Sequence, residues 1–174
     1  EKALKRIVVA SHDYNIAVIV GLPMAIGESV YNCAAVIASG EVKGIIPKYA
    51  VSKDESRWFA AGGDKPLAMV GDYSCSIASH QLFNIDGVCF GVELGDNYML
   101  PAPPSATLAQ QGAKIIFNLS ATIATVGSCT AEKESVANYS KRIGAAYVYS
   151  SAGFGESTSN VVRAGNAFIA EAGE

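Results

Sequence analysis

Apolar positions in the first dozen residues fall at helical spacing. In KALKRIVVAS (residues 2–11), Leu4, Ile7 and Val8 share one face, which predicts an amphipathic helix. From Ile16 to Met24 the pattern becomes a continuous apolar run closed by Gly21 and Pro23, as expected of a buried strand. Val30 to Ala38 and Val42 to Pro47 flank Gly40-Glu41 and predict a hairpin. Asp64 to Ser79 is weakly patterned, and Leu82 to Leu94 holds two strand-like runs with a turn near Asp86-Gly87. After a Pro-rich loop, Ser105 to Gln111 reads as a short helix with Ser105 as N-cap. Ile115 to Leu119 predicts a strand, Thr130 to Ile143 an amphipathic helix ended by Gly144, and Ala146 to Ser150 another strand. Val161 to Arg163 and Ala167 to Ala170 flank Gly165-Asn166 as a final hairpin. Hairpins mixed with strand–helix–strand units predict a mixed α/β (α+β) fold whose helices cover the sheets.

With 174 residues, half of them hydrophobic, the chain can bury one sizeable core, and no repeat or linker divides it. A formal net charge of −3 with scattered basic residues argues against nucleic acid and against an anionic membrane surface as partners. The longest membrane candidate, Ile16 to Leu22, is strand-sized, well short of the roughly 20 residues of a spanning helix. Cys33, Cys75, Cys89 and Cys129 show no CxxC spacing and have no nearby histidine, so neither zinc nor another metal is expected. Cys33 and Cys89 sit in apolar runs, as small core residues do, and a reduced, cytoplasmic protein follows. Gly62-Gly63-Asp64 lacks the helix pattern and the Ser or Thr that a phosphate-binding loop needs. His12 and His80 lie in polar connecting stretches and have no assignable acidic partner.

The candidate chemistry lies between Val88 and Ser105, where a strand ends at Gly95, Asp96 follows, and a Pro-rich loop comes next. A strand tip of this kind holds the nucleophile of many α/β hydrolases on a tight turn. VGLPM (20–24), YNCAAVI (31–37), GIIPK (44–48), RWFA (57–60), IDGVCFGVE (85–93), PPS (103–105), GAKIIFNLSA (112–121) and YVYSSAGFGEST (147–158) follow in order. Together they resemble the glutaminase domain of glutamine-dependent NAD+ synthetases, within the nitrilase (carbon–nitrogen hydrolase) superfamily. The resemblance implies a four-layer α-β-β-α sandwich, here a single partial domain over residues 1–174, incomplete at its N-terminus and possibly at its C-terminus.

The resemblance also implies a Glu–Lys–Cys triad acting on glutamine. A glutamate serves as base, a cysteine thiolate attacks the amide carbon, and a lysine stabilises the oxyanion. Lys48 occupies the lysine position, at a strand end. Gly95 stands where the family has its nucleophilic cysteine, and Asp96 matches an acidic residue whose backbone N–H would be an oxyanion donor. Thr122 and Ser128 take substrate-binding positions, Ser128 replacing a basic residue, and Glu55 is a remnant of a longer acidic loop. The family's base glutamate lies upstream of the first helix. This domain would need no cofactor; ATP and magnesium would enter only through a separate synthetase domain or subunit, which would use the ammonia to amidate deamido-NAD.

Two expectations follow. In one, the chain is a carbon–nitrogen hydrolase by family, inactive as it stands because the thiol and the base are missing. In the other, it is a non-catalytic nitrilase-like module for binding or assembly, or else a decayed fragment; a homo-oligomer is expected.

Overall fold

The computed structural model describes residues 2–63, 75–155 and 161–174. Most of the weakly patterned stretch, Asp64 itself, and residues 156–158 of the GEST motif lie outside them. Contacts divide the chain into two compact units, Glu1–Gln81 and Leu82–Glu174.

In the first unit, helix α1 (Lys2–Ser11) precedes strands β1 (Ala17–Ile26), β2 (Ser29–Ala38) and β3 (Glu41–Pro47), an antiparallel sheet in the order β1-β2-β3. The β2–β3 turn is Ser39-Gly40, both at positive φ (52° and 75°), the geometry that matches the right-handed twist of a hairpin. Leu4 of α1 joins Cys33, Ala35, Ile37 and Ile45 in one core cluster. Sequence patterning predicts β1 to be buried, whereas the structure leaves its residues alternating between exposed and half-buried, with Ile26 alone buried. The reason is position: among the described residues β1 pairs only with β2 and forms the edge, where Pro23 is tolerated.

The second unit is a five-stranded sheet in the order β4-β5-β6-β7-β8, from β4 (Leu82–Ile85), β5 (Val88–Leu94), β6 (Ile115–Ser120), β7 (Ala146–Ser151) and β8 (Ala167–Ala170). Strands β5, β6 and β7 run parallel, linked by helices α2 (Pro104–Gln110) and α3 (Ser128–Ile143); β4 and β8 are antiparallel edges. Asp86 and Gly87, at φ 52° and 80°, make the tight turn expected between β4 and β5. Leu108, Ile116, Val136 and Tyr147 are fully buried between helices and sheet. A Cβ at Gly91 would lie 2.8 Å from Leu108 Cδ1, so glycine lets α2 approach β5. Gly144 ends α3 in the left-handed conformation.

Three expectations need correction here. Ser105 is not the N-cap of α2; Pro103 is, and the Ser105 N–H donates to Glu93 instead. Helix α3 begins at Ser128, two residues before the apolar pattern does. Residues 161–163 form no strand, because β8 finds its partner in β7 instead. The four cysteines are free; Cys33 and Cys75 are buried, Cys89 is half-buried and Cys129 exposed.

Candidate active site

Lys48 directly follows β3 and is held on both sides by backbone. Its N–H donates to Asn32 O (2.7 Å) and its carbonyl accepts the Gly62 N–H (2.8 Å). A Cβ at Gly62 would fall 2.5 Å from Ser79 Oγ and 2.9 Å from Pro47 Cγ, so this crossing admits only glycine. Lys48 is 5% exposed, and its Nζ donates to both carboxylate oxygens of Glu55 at 2.8 Å. Glu55 opens a short 3₁₀ turn, Glu55–Arg57. Its Oε2 accepts the Ser52 N–H (2.8 Å) while its own N–H donates to Ser52 Oγ (3.2 Å), a reciprocal capping box. Burial pushes the Glu55 carboxyl up, but the bonds from Lys48 and Ser52 prevail and hold it below its ordinary value. The result is a buried ammonium whose charge is matched by a carboxylate that is itself locked in place.

The remaining positions lie in the second unit, at the carboxyl ends of its parallel strands, where open α/β sheets bind ligands. Gly95 ends β5 at φ 61°, opening the 3₁₀ turn Gly95–Met99. Any other L-residue would be strained here, whereas glycine adopts this conformation freely. Asp96 is exposed. The Gly95 carbonyl accepts a hydrogen bond from Asn118 Nδ2 (2.9 Å), which also donates to Tyr147 Oη (2.9 Å). Tyr147 donates to Glu93 Oε1 (2.9 Å), and Glu93 Oε2 accepts the Ser105 N–H (3.0 Å). Ser105 Oγ in turn lies 2.6 Å from Tyr139 Oη. Glu93, Asn118 and Tyr147 are all at most 2% exposed. Desolvation dominates Glu93 and raises its carboxyl above the ordinary range despite the donors facing it.

Thr122 follows β6 and is exposed, its Oγ1 2.7 Å from Tyr149 Oη and 3.0 Å from Ser120 Oγ. Tyr149 donates to Glu132 Oε1 (2.9 Å), and Asn166 Nδ2 donates to Glu132 Oε2 (2.8 Å). Ser128, the first residue of α3, turns its hydroxyl back onto Thr125: Oγ accepts the Thr125 N–H (3.0 Å) and donates to its carbonyl (2.9 Å). No hydrogen bond among the described residues joins Thr122 to Ser128.

Sequence reasoning passed over Glu93, Asn118, Tyr147, Glu132 and Tyr149. A signal existed for some: Glu93 is the one charged residue in the apolar run VCFGVEL, and Tyr147 and Tyr149 alternate onto one face of β7. Among the described residues no cluster of His, Cys, Asp or Glu could hold a metal ion, and no helix is long and apolar enough to cross a membrane.

No family model matches the chain. Solved structures share its fold: a variant of the Nesterenkonia AN1 amidase from the nitrilase superfamily superposes with a TM-score of 0.78 at 17% identity, over 99% of this chain and 60% of that one. A glutamine-dependent NAD(+) synthetase from Cytophaga hutchinsonii gives 0.84 at 24% identity, over 99% of this chain and 28% of that one. The chain therefore shares the fold of these structures, and its mixed α/β architecture is the nitrilase fold. In sequence it is 33% identical over 181 residues to the glutamine-dependent NAD(+) synthetase of Mycobacterium tuberculosis, covering 99% of this chain. It is thus a relative of those synthetases and spans about a quarter (27%) of the length of the curated relatives it matches.

Proposed function

We propose that the chain is a glutaminase-type carbon–nitrogen hydrolase module of the NAD+ synthetase lineage that does not hydrolyse glutamine through a covalent intermediate. The observation that carries this reading is Gly95. It keeps a positive φ of 61° at the tip of β5, where the lineage resemblance places a nucleophilic cysteine, and offers no side chain to attack an amide. Without a nucleophile the acyl-enzyme route is closed, whatever Lys48 or the backbone donors contribute. By the resemblance, Lys48 in the first unit takes the oxyanion-stabilising role, and Asp96, Thr122 and Ser128 in the second take glutamine-binding roles. The module itself takes no cofactor. Its place is cytoplasmic, beside a synthetase domain or subunit that brings ATP and magnesium to NAD formation.

A second reading, a binding or assembly module, is favoured by the apolar loops beyond β6 and β7. Val126 and Phe154 are fully exposed there, and Val162 is 66% exposed. Self-association or a synthetase partner would cover such side chains.

The test is glutamate formation from glutamine by the purified chain and by its Lys48→Ala variant. Neither is expected to turn over. Wild-type turnover that disappears in Lys48→Ala would overturn the reading, because it requires a nucleophile or an activated water at this site.

A further inference from the structure

The buried polar chain behind Gly95 runs in one direction. Glu93 receives the Ser105 N–H at Oε2 and the Tyr147 hydroxyl at Oε1, with the Ser105 side chain as a further hydrogen-bonding neighbour, so its ionised form accepts at both oxygens. Tyr147 has one proton and spends it on Glu93; its oxygen is then left to accept, and it does so from Asn118 Nδ2. That choice turns the Asn118 amide so that its NH2 group, not its carbonyl, meets the Gly95 carbonyl. The alternative amide orientation would set carbonyl against carbonyl. Asn118 Oδ1 meanwhile is buried with no hydrogen-bond partner among the described residues, and the orientation follows from the NH2 side.

We propose that Glu93 is the positioning residue of the Gly95 turn: as terminal acceptor it sets the direction of the Asn118–Tyr147–Glu93 chain, which pins the Gly95 carbonyl and so orients the Gly95–Asp96 peptide. In a trans peptide the C=O and N–H point to opposite sides, and no cis bond occurs among the described residues. Fixing the carbonyl on Asn118 therefore fixes the face on which the Asp96 N–H lies. The meaning of this for an amide substrate rests on the functional reading above. The orientation of the peptide does not.

Glu93→Gln tests it at nearly constant shape. Ser105 still needs an acceptor, which turns the new NH2 group toward Tyr147 and makes that hydroxyl accept from it. The Tyr147 proton then points at Asn118, whose amide must flip and abandon the Gly95 carbonyl. In 15N-labelled, ligand-free chain, the Asp96 backbone amide and the Asn118 side-chain NH2 resonances are expected to move together in Glu93→Gln. Tyr147→Phe, which removes the middle link, is expected to move both as well. Leu4→Ala, which empties a site in the separate core cluster of the first unit, should leave both in place. A folded Glu93→Gln protein with unmoved Asp96 and Asn118 resonances overturns the proposal; if that variant fails to fold, unmoved resonances in Tyr147→Phe do the same. Adding glutamine separates the two readings. A wild-type Asp96 shift that Glu93→Gln abolishes supports both, whereas no shift in wild type counts against glutamine binding alone, the ligand-free spectra having already decided the role of Glu93.

Discussion

Lys48 and Gly95 mark two regions with opposite histories of charge. Around Lys48, an ammonium is kept and matched: Glu55 takes it with both oxygens at 2.8 Å, and Ser52 locks Glu55. Around Gly95, a glycine with no side chain to offer, a fully buried carboxyl, amide and phenol converge on the turn. The comparison separates two things that sequence motifs run together, the group that reacts and the scaffold that aims it. A scaffold of buried polar groups resists change because each partner lost leaves another unsatisfied in low dielectric. A surface-facing reactive group has no such hold on the fold.

The largest expected effect comes from deleting the scaffold's terminal acceptor. Glu93→Ala strands the Ser105 N–H and the Tyr147 hydroxyl, and should cost about 2–5 kcal/mol in urea unfolding. Gly95→Ala, which replaces no hydrogen bond but forces a Cβ into φ 61°, should cost about 1–2 kcal/mol in the same measurement. Lys48→Met leaves the Glu55 carboxylate partly buried without its cation, and about 1–3 kcal/mol should be lost.

The two carboxylates should also respond to pH with opposite sign. Glu55 is held below its ordinary value, so the stability it contributes is present above about pH 4.5 and lost as pH falls through its folded pKa. Glu93 is raised, so the folded state retains a proton the unfolded state gives up; its contribution is present below about pH 4.5 and declines as pH rises toward the folded pKa. The stability gap between wild type and Glu55→Gln should therefore grow with rising pH across the acid range, while that between wild type and Glu93→Gln should shrink. Parallel slopes would remove the distinction between the two regions. The smallest effect belongs to Ser52→Ala, which removes half of a capping box and should cost about 0.5–1 kcal/mol by thermal unfolding.

Much of the fold was legible along the chain because its signals are local. The Asp86-Gly87 turn, the α3 helix ended by Gly144, and the hairpin around Gly40 each follow from backbone preferences within a few residues. Legible too were Lys48 and Gly95, whose places at strand ends come with the surrounding motifs GIIPK and FGVELGD. The edge position of β1 was not, since an apolar run of ten residues reads alike whether a strand has one neighbour or two. Ser105 misled for a similar reason: a serine before a helix looks like a cap until a buried carboxylate 12 positions away claims its N–H.

What the linear order of residues settled was which groups are present: a lysine after GIIP, a glycine after VCFGVEL, a glutamate inside an apolar strand. What folding settled was which of them meet. Glu93 and Tyr147 are 54 positions apart, and Gly95 and Asn118 are 23 apart; parallel pairing of β5, β6 and β7 brings them within 2.9 Å. Hydrogen bonds act over about 3 Å and say nothing along the chain about their partners. Only the register of neighbouring strands turns a lone buried carboxylate into the end of a chain that reaches the site.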